Sequence, residues 1–412
     1  MFNPKRSLSR DERNLRDRRP CRARAAATIV LWSTATFVYG SDWFFQPEVA
    51  AGVGYEENVD LVDEDPFNAT RYDLEAMARG GRITERSQVL GNLSAVFQRY
   101  PGNERLDSDN LSAGLNSAIL LTELDRLSLD LSYVRDTSRR SELTTTGNII
   151  ENVPRNAIRI QPAWQHQLTE RSAVGLAFTH ARVRFDSNLS GLIDYDQNDI
   201  DAFYNYQLTE RLAFRGTIGV VSYDPDDVES YKGYDASLGL NYLFSETLMG
   251  ELFVGPQRVD SQIDLGAETI SRTASGISYG FNLSKQFERS GLDLSLSRGA
   301  VPTGSGEPLL QERLSLAYSY QFSPRLSVIV PAAVFRNETI SFGGAAETEN
   351  EMRIFFSMQP SIEWRVTEDL VMNASYRYRY QRFEQEGSSA DSNALFVTLS
   401  YVWPTEIPSL SQ

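Results

Sequence analysis

Few residues in this chain could do covalent chemistry. There are two histidines, His166 and His180, and no Cys/His spacing suited to a metal ion. No Gly-x-Ser-x-Gly turn offers a nucleophile. Carboxylates are too frequent for a pair of them to indicate catalysis. The acidic run Asp224-Pro225-Asp226-Asp227 lacks an EF-hand pattern and reads as solvated charge. No catalytic residue, metal site or cofactor is therefore expected. What remains is arginine facing carboxylate. Arg159, Arg215, Arg313, Arg353, Arg365, Arg377 and Arg379 fall on polar positions of alternating segments. So do Asp73, Glu75, Asp130, Asp201, Asp235, Glu251, Asp293 and Glu363. Planar guanidinium forks suit carboxylates. Such a set either selects charged or sugar-like solutes or cross-braces a polar wall, and both readings stay open.

The elements that must position these residues repeat. Leu168-Thr169-Glu170-Arg171 recurs as Leu208-Thr209-Glu210-Arg211. Looser copies begin at Ile83, Leu121, Phe244, Phe287, Phe322 and Val366, so that the eight anchors are 38, 47, 40, 36, 43, 35 and 44 residues apart. A recurrence this regular is an architecture. On either side the chain alternates apolar and polar. Leu370, Met372, Ala374, Tyr376, Tyr378 and Tyr380 alternate with Val371, Asn373, Ser375, Arg377, Arg379 and Gln381. Period two over about ten residues denotes strands with one apolar and one polar face. The repeated motif is then a tight turn, in which Thr or Ser bonds its own backbone. The other connections are longer and acidic: residues 56–70, 224–230, 343–351 and 384–393. Eight turns join sixteen strands, and one strand at each end (Phe44–Tyr55 and Asn393–Trp403) makes eighteen, with sixteen as the alternative count.

A propeller would need four short strands per repeat, and a sandwich or solenoid gives the short/long alternation of connections no reason. The reading is an all-β transmembrane antiparallel up-and-down barrel, with its apolar face to lipid, its polar face to a lumen and its short turns periplasmic. Aromatic residues support it. Trp43, Trp164, Tyr206, Tyr242, Tyr320, Trp364 and Trp403, with His166, collect beside the turns, as an interfacial girdle requires.

Residues 1–40 read as an export signal, nine basic residues followed by the uncharged run Ala25–Tyr39. Residues 41–412 then form one barrel domain with a short tail after Trp403. Without residues 1–40 the 40 basic and 55 acidic residues become 31 and 52, a net of −21, which argues against nucleic acid. The only cysteine, Cys21, leaves with the signal, so neither disulfides nor thiol chemistry is expected.

The Gln-Leu-Thr-Glu-Arg-Leu hairpins and strand periodicity resemble Gram-negative outer-membrane β-barrel porins associated with exopolysaccharide or capsule synthesis. The resemblance implies an outer-membrane location, insertion by barrel-assembly machinery, and polysaccharide or small solutes as partners alongside the bilayer. The expected function is a channel, a conduit for exopolysaccharide or for small charged or sugar solutes. The alternative is a scaffold barrel whose lumen is occluded by inward loops. In the register read here, Tyr378→Arg impairs assembly, while exchanging Arg377 and Arg379 for glutamate spares assembly and favours cations.

Overall fold

Alternating strands joined by tight turns can satisfy every backbone group in lipid only by closing on themselves. A computed structural model shows that closure. It describes residues 43–145, 152–186, 192–226, 229–264, 269–340, 353–383 and 387–404, without the side chains of 142–145, 263–264, 269–270 and 339. The export segment, acidic stretch 343–351 and nearly all of the tail lie outside these residues.

The strands are β1 (Trp43–Glu56), β2 (Ala69–Ile83), β3 (Ser87–Arg99), β4 (Ser108–Leu120), β5 (Asp125–Thr137), β6 (Pro154–Thr169), β7 (Ser172–Phe185), β8 (Tyr195–Gln207), β9 (Leu212–Pro225) and β10 (Ser230–Ser245). They continue as β11 (Leu248–Asp264), β12 (Thr269–Gln286), β13 (Ser290–Val301), β14 (Leu309–Ser323), β15 (Leu326–Thr339), β16 (Arg353–Met358), β17 (Ser361–Arg365), β18 (Leu370–Phe383) and β19 (Ser389–Val402). Each pairs antiparallel with its neighbours, and β1 pairs with β19 to close the ring. β16 and β17 both lie between β15 and β18, so they are two pieces of one crossing, and the barrel has eighteen crossings. Pro360, which has no N–H to give, interrupts that crossing. Bonds from Gln359 N to Pro331 O (3.0 Å) and from Tyr376 N to Pro360 O (3.0 Å) carry the pairing past it.

The repeated turn works through its hydroxyl. Thr209 Oγ1 accepts from the N–H groups of Arg211 (3.2 Å) and Leu212 (3.1 Å). Thr84, Thr122, Thr169, Ser245, Ser323 and Thr367 each accept from a turn N–H in the same way. Only the Phe287 copy lacks the hydroxyl, and it closes by a bond from Phe287 N to Ser290 O (2.7 Å).

Burial alternates with the sequence. Val53 and Leu395 are 46% and 57% exposed on the outside, while Ala50 and Ala394 are 3% exposed within. Beyond the apolar band, at the strand ends away from the turns, the outer face turns to ion pairs. These include Arg258–Asp260 (2.8 Å), Arg336–Glu338 (2.7 Å) and Arg182–Asp196 (3.0 Å). Strand ends bearing such pairs project past the hydrocarbon. No helix among the described residues is long and apolar enough to cross a membrane; the crossing is made by strands. The chain is an outer-membrane barrel.

The long connections add detail of their own. A helix α1 (Ser138–Thr145) and a 3-10 turn (Glu104–Leu106) occur in the long connections. The first acidic connection also does not stay outside. Val59 and Leu61 within it are wholly buried, because the chain folds these apolar residues into the lumen.

Candidate functional site

Every second residue of each strand faces inward, and register decides which of these meet. One inner row runs Arg313, Phe335, Phe355, Gln381, Ala390 from β14 to β19. The row nearer the turns runs Ser315, Ala333, Ser357, Arg379, Ser392, and the row nearer the mouth contains Gln311, Asn337 and Arg353. Arg159, Arg215, Glu363 and Arg365 also fall on the inner face, on β6, β9 and β17. Arg353 donates to Gln381 Oε1 and lies over the Phe383 ring.

The arginines divide by partner. Arg377 Nη2 lies 2.5 Å from Glu56 Oε2 and Arg71 Nη1 2.9 Å from Glu56 Oε1. Arg71 also pairs with Asp73 at 2.9 Å. Tyr100 donates its hydroxyl to the same Glu56 carboxylate (3.2 Å), and burial, with that charge beside it, pushes the Tyr100 phenol up. Glu56 is 1% exposed, so its charge has to be paired. The Phe396 ring lies between the two cations, 4.3 Å from Arg71 and 5.1 Å from Arg377. It lies flat only because residue 54 is glycine: a Cβ there would come 2.2 Å from Phe396 Cδ1. This is a brace. By contrast, Arg313 bonds Ser315 Oγ (3.1 Å), Arg159 bonds Gln161 Oε1 (3.3 Å) and Arg215 stacks on Phe203 (4.5 Å). Among the described residues none of these three has a carboxylate within ion-pair distance. Arg365 is loosely paired with Glu363 at 3.9 Å.

Residues 57–68 fold over this wall. Leu61 packs with Phe335, Phe355 and Ala390, and Val59 with Ala69, Tyr100 and Leu106. Side chains of α1 and of β18 grip the loop backbone. Arg139 and Arg379 donate to Val59 O (2.6 and 3.2 Å), and Gln381 donates to Leu61 O (2.6 Å). Arg105 pairs with Asp60 at 2.6 Å. Elsewhere in the mouth, residues 192–194 and 302–308 meet inside. Ile193 N bonds Gly304 O (2.8 Å), Tyr223 donates its hydroxyl to Thr303 O (2.7 Å), and Leu192 joins an apolar cluster with Phe185, Tyr195 and Tyr231.

A cavity of about 590 Å³ opens on the inner wall below residues 57–68. Arg313, Arg377, Arg379, Asp293, Phe355 and Ser357 are among its lining residues. Halfway round the ring the inner wall carries Asp201 and Asp235, with Arg215 on the strand between them. Asp201, at the middle of β8, is on the eighth crossing, and Arg377, at the middle of β18, is on the seventeenth. Asp201 and Asp235 crowd over Gly219, where a Cβ would lie 2.7 and 2.5 Å from their Oδ1 atoms. Among the described residues no group of three or more metal-ligating side chains is placed to hold an ion.

Trp43, Trp164, Tyr242, Trp364 and Trp403 are all well exposed on the outer face beside the short turns, and Tyr206 and Tyr320 are half-buried there. Aromatics two apart stack or meet edge to face: Trp164–His166, Tyr204–Tyr206, Tyr242–Phe244, Tyr320–Phe322 and Tyr401–Trp403. Asp125 on the adjacent turn accepts from Trp164 Nε1 (3.2 Å) and lies 2.8 Å from His166 Nδ1.

Glu56, Arg71, Val59, Leu61 and Arg139 were not singled out by type or spacing, and Gln381 only as a polar position of its strand. One signal for the loop was present: Val59, Leu61 and Val62 are apolar residues inside an acidic run.

No protein-family model and no curated protein sequence matches the chain. Solved structures are similar in fold. OccK2 (OpdF) of Pseudomonas aeruginosa in complex with glucuronate is 10% identical with a TM-score of 0.48, over 87% of this chain and 98% of that one. The outer membrane protein OpdK of the same organism is 11% identical with a TM-score of 0.44, over 88% and 99%. OccAB4 of Acinetobacter baumannii is 12% identical with a TM-score of 0.44, over 88% and 98%.

Proposed function

We propose that the protein is a channel for small charged solutes, with the arginine wall as the station for anions. The observation that carries this is a group of lumen arginines with free charge beside a cavity. Arg313 and Arg379, without carboxylate partners among the described residues, border a 590 Å³ cavity, and Asp201 and Asp235 sit about halfway round the ring. Eighteen crossings enclose more than side chains can fill. Fixed charges in a narrow lumen select their counter-ions. The inward folds at 57–68 and 302–308 narrow the mouth, which favours small solutes over a polysaccharide strand. Purified protein in a planar bilayer, under a potassium chloride gradient, is expected to conduct and to give a reversal potential away from zero. A lumen that never conducts would leave the scaffold reading, which the complete burial of Val59 and Leu61 favours. Reconstituted vesicles that released polysaccharide chains as fast as monosaccharides would restore the polymer conduit.

A further inference from the structure

Arg379 belongs to two places at once. Its Nη2 donates to Val59 O (3.2 Å) and Ser392 Oγ (3.0 Å), so it helps to fasten the inward loop. The same side chain lines the cavity below that loop. It is 3% exposed, its Nε has no hydrogen-bond partner, and no carboxylate of the described residues lies within ion-pair distance of it. Arg377 beside it is already engaged by Glu56. The latch is thus a buried cation satisfied by neutral oxygens alone.

The loop it holds is under tension. Asn58, Leu61 and Asp65 have φ of 44°, 52° and 50°, the left-handed region that favours glycine. Asn58 offsets part of this by bonding Val62 through both ends of its amide (2.7 and 3.0 Å). Leu61, a bulky residue, is held there by its packing, by the bond from Gln381 and by its own N–H to Asn58 O (3.0 Å). On the other flank Asp60 is tied to Arg105 (2.6 Å) and Arg139 (3.8 Å), neither of which lines the cavity.

We propose that residues 57–68 are a gate, and that a small carboxylate solute in the cavity opens it by drawing the Arg379 guanidinium away from the Val59 carbonyl. The proposal rests on the channel reading and adds its regulation. A carboxylate offers the guanidinium an opposite charge and two oxygens for a bidentate fork, neither of which a neutral carbonyl has. It also supplies a second acceptor for the unmatched Nε. Once Arg379 turns to the solute, the strained Leu61 turn keeps only the Gln381 bond and its packing on the β15–β18 side, while Arg139 and the Asp60 ion pairs keep the loop tethered on the other. A neutral sugar has no charge with which to compete and leaves the latch shut.

The test uses the full chain in planar bilayers with a constant chloride background, to which sodium gluconate or sorbitol is added at equal concentration. Gluconate is expected to shift the channel from a small to a larger conductance level, and sorbitol is not. Arg379→Gln keeps a donor for Val59 but no charge, and is expected to lose the gluconate response. Leu61→Asp removes the apolar anchor and is expected to hold the larger level without gluconate. Heat-modifiable migration on gels verifies that each variant is a folded barrel. A gluconate response undiminished in Arg379→Gln, or a Leu61→Asp channel no larger than the native one, overturns the gate. Absence of any conductance, Leu61→Asp included, overturns the channel reading itself.

Discussion

Arg313 and Arg377 are the same residue type on the same inner wall, yet their loss is expected to do different things. Arg313 touches Ser315 and lies 5.9 Å from the centre of the Phe335 ring. Arg313→Gln should leave assembly intact and lower anion permeability relative to cation, read as a shift in reversal potential. Arg377 neutralises a buried carboxylate. Arg377→Gln leaves Glu56 with Arg71 as its one ion-pair partner among the described residues, and breaking one arm of a buried pair costs about 3 kcal/mol. Its heat-modification midpoint should fall. The pattern of alternation alone assigned Arg377 and Arg379 a common lining role in which both could be reversed without harm to assembly. The brace at Glu56 and the latch at Val59 withdraw that expectation.

Strands and turns carry their own tests. Ala374 and Tyr378 both face outward on β18, paired to Val397 and Asn393. At a rise of ~3.3 Å per residue and a tilt near 40°, Ala374 stands about 10 Å above the turn and Tyr378 about 20 Å. Ala374→Arg therefore falls near the middle of the apolar band and should cost ~2–4 kcal/mol, with Tyr378→Arg costing less, near its edge. Urea titration of the folded fraction in lipid vesicles measures both, and equal costs would show that the band is misplaced. In the turns, Thr209→Val removes the acceptor of two backbone N–H groups and should cost about 1 kcal/mol. The same change cannot be made in the Phe287 turn, which has no hydroxyl to lose.

Across the whole barrel, selectivity is a contest between the fixed charges of the lumen and the salt that screens them. The Debye length falls from about 10 Å at 0.1 M to about 3 Å at 1 M. The charge preference measured at 0.1 M potassium chloride should therefore collapse toward the ratio of bulk mobilities at 1 M. A preference that held at high salt would assign selection to direct contact at the Arg313–Arg379 cavity rather than to the field of the lumen.

Strand number, turn positions, the outward placing of Trp164, Trp364 and Trp403 beside the turns and the inner or outer face of each residue on β18 were legible in the chain itself. These properties depend on period two and on a hydroxyl within each turn, and both are local. The break at Pro360 and the placing of Arg377 beside Glu56, 321 residues away, were not legible. Nor was the inward fold of residues 57–68. An acidic composition places a loop in water on average, but two apolar side chains can draw it into a lumen that offers Phe335, Phe355 and Ala390 on one side and Tyr100 on the other. That surface exists only once strands far apart in sequence have closed the ring, so the tertiary structure alone decides whether a lumen arginine meets solute, carboxylate or loop.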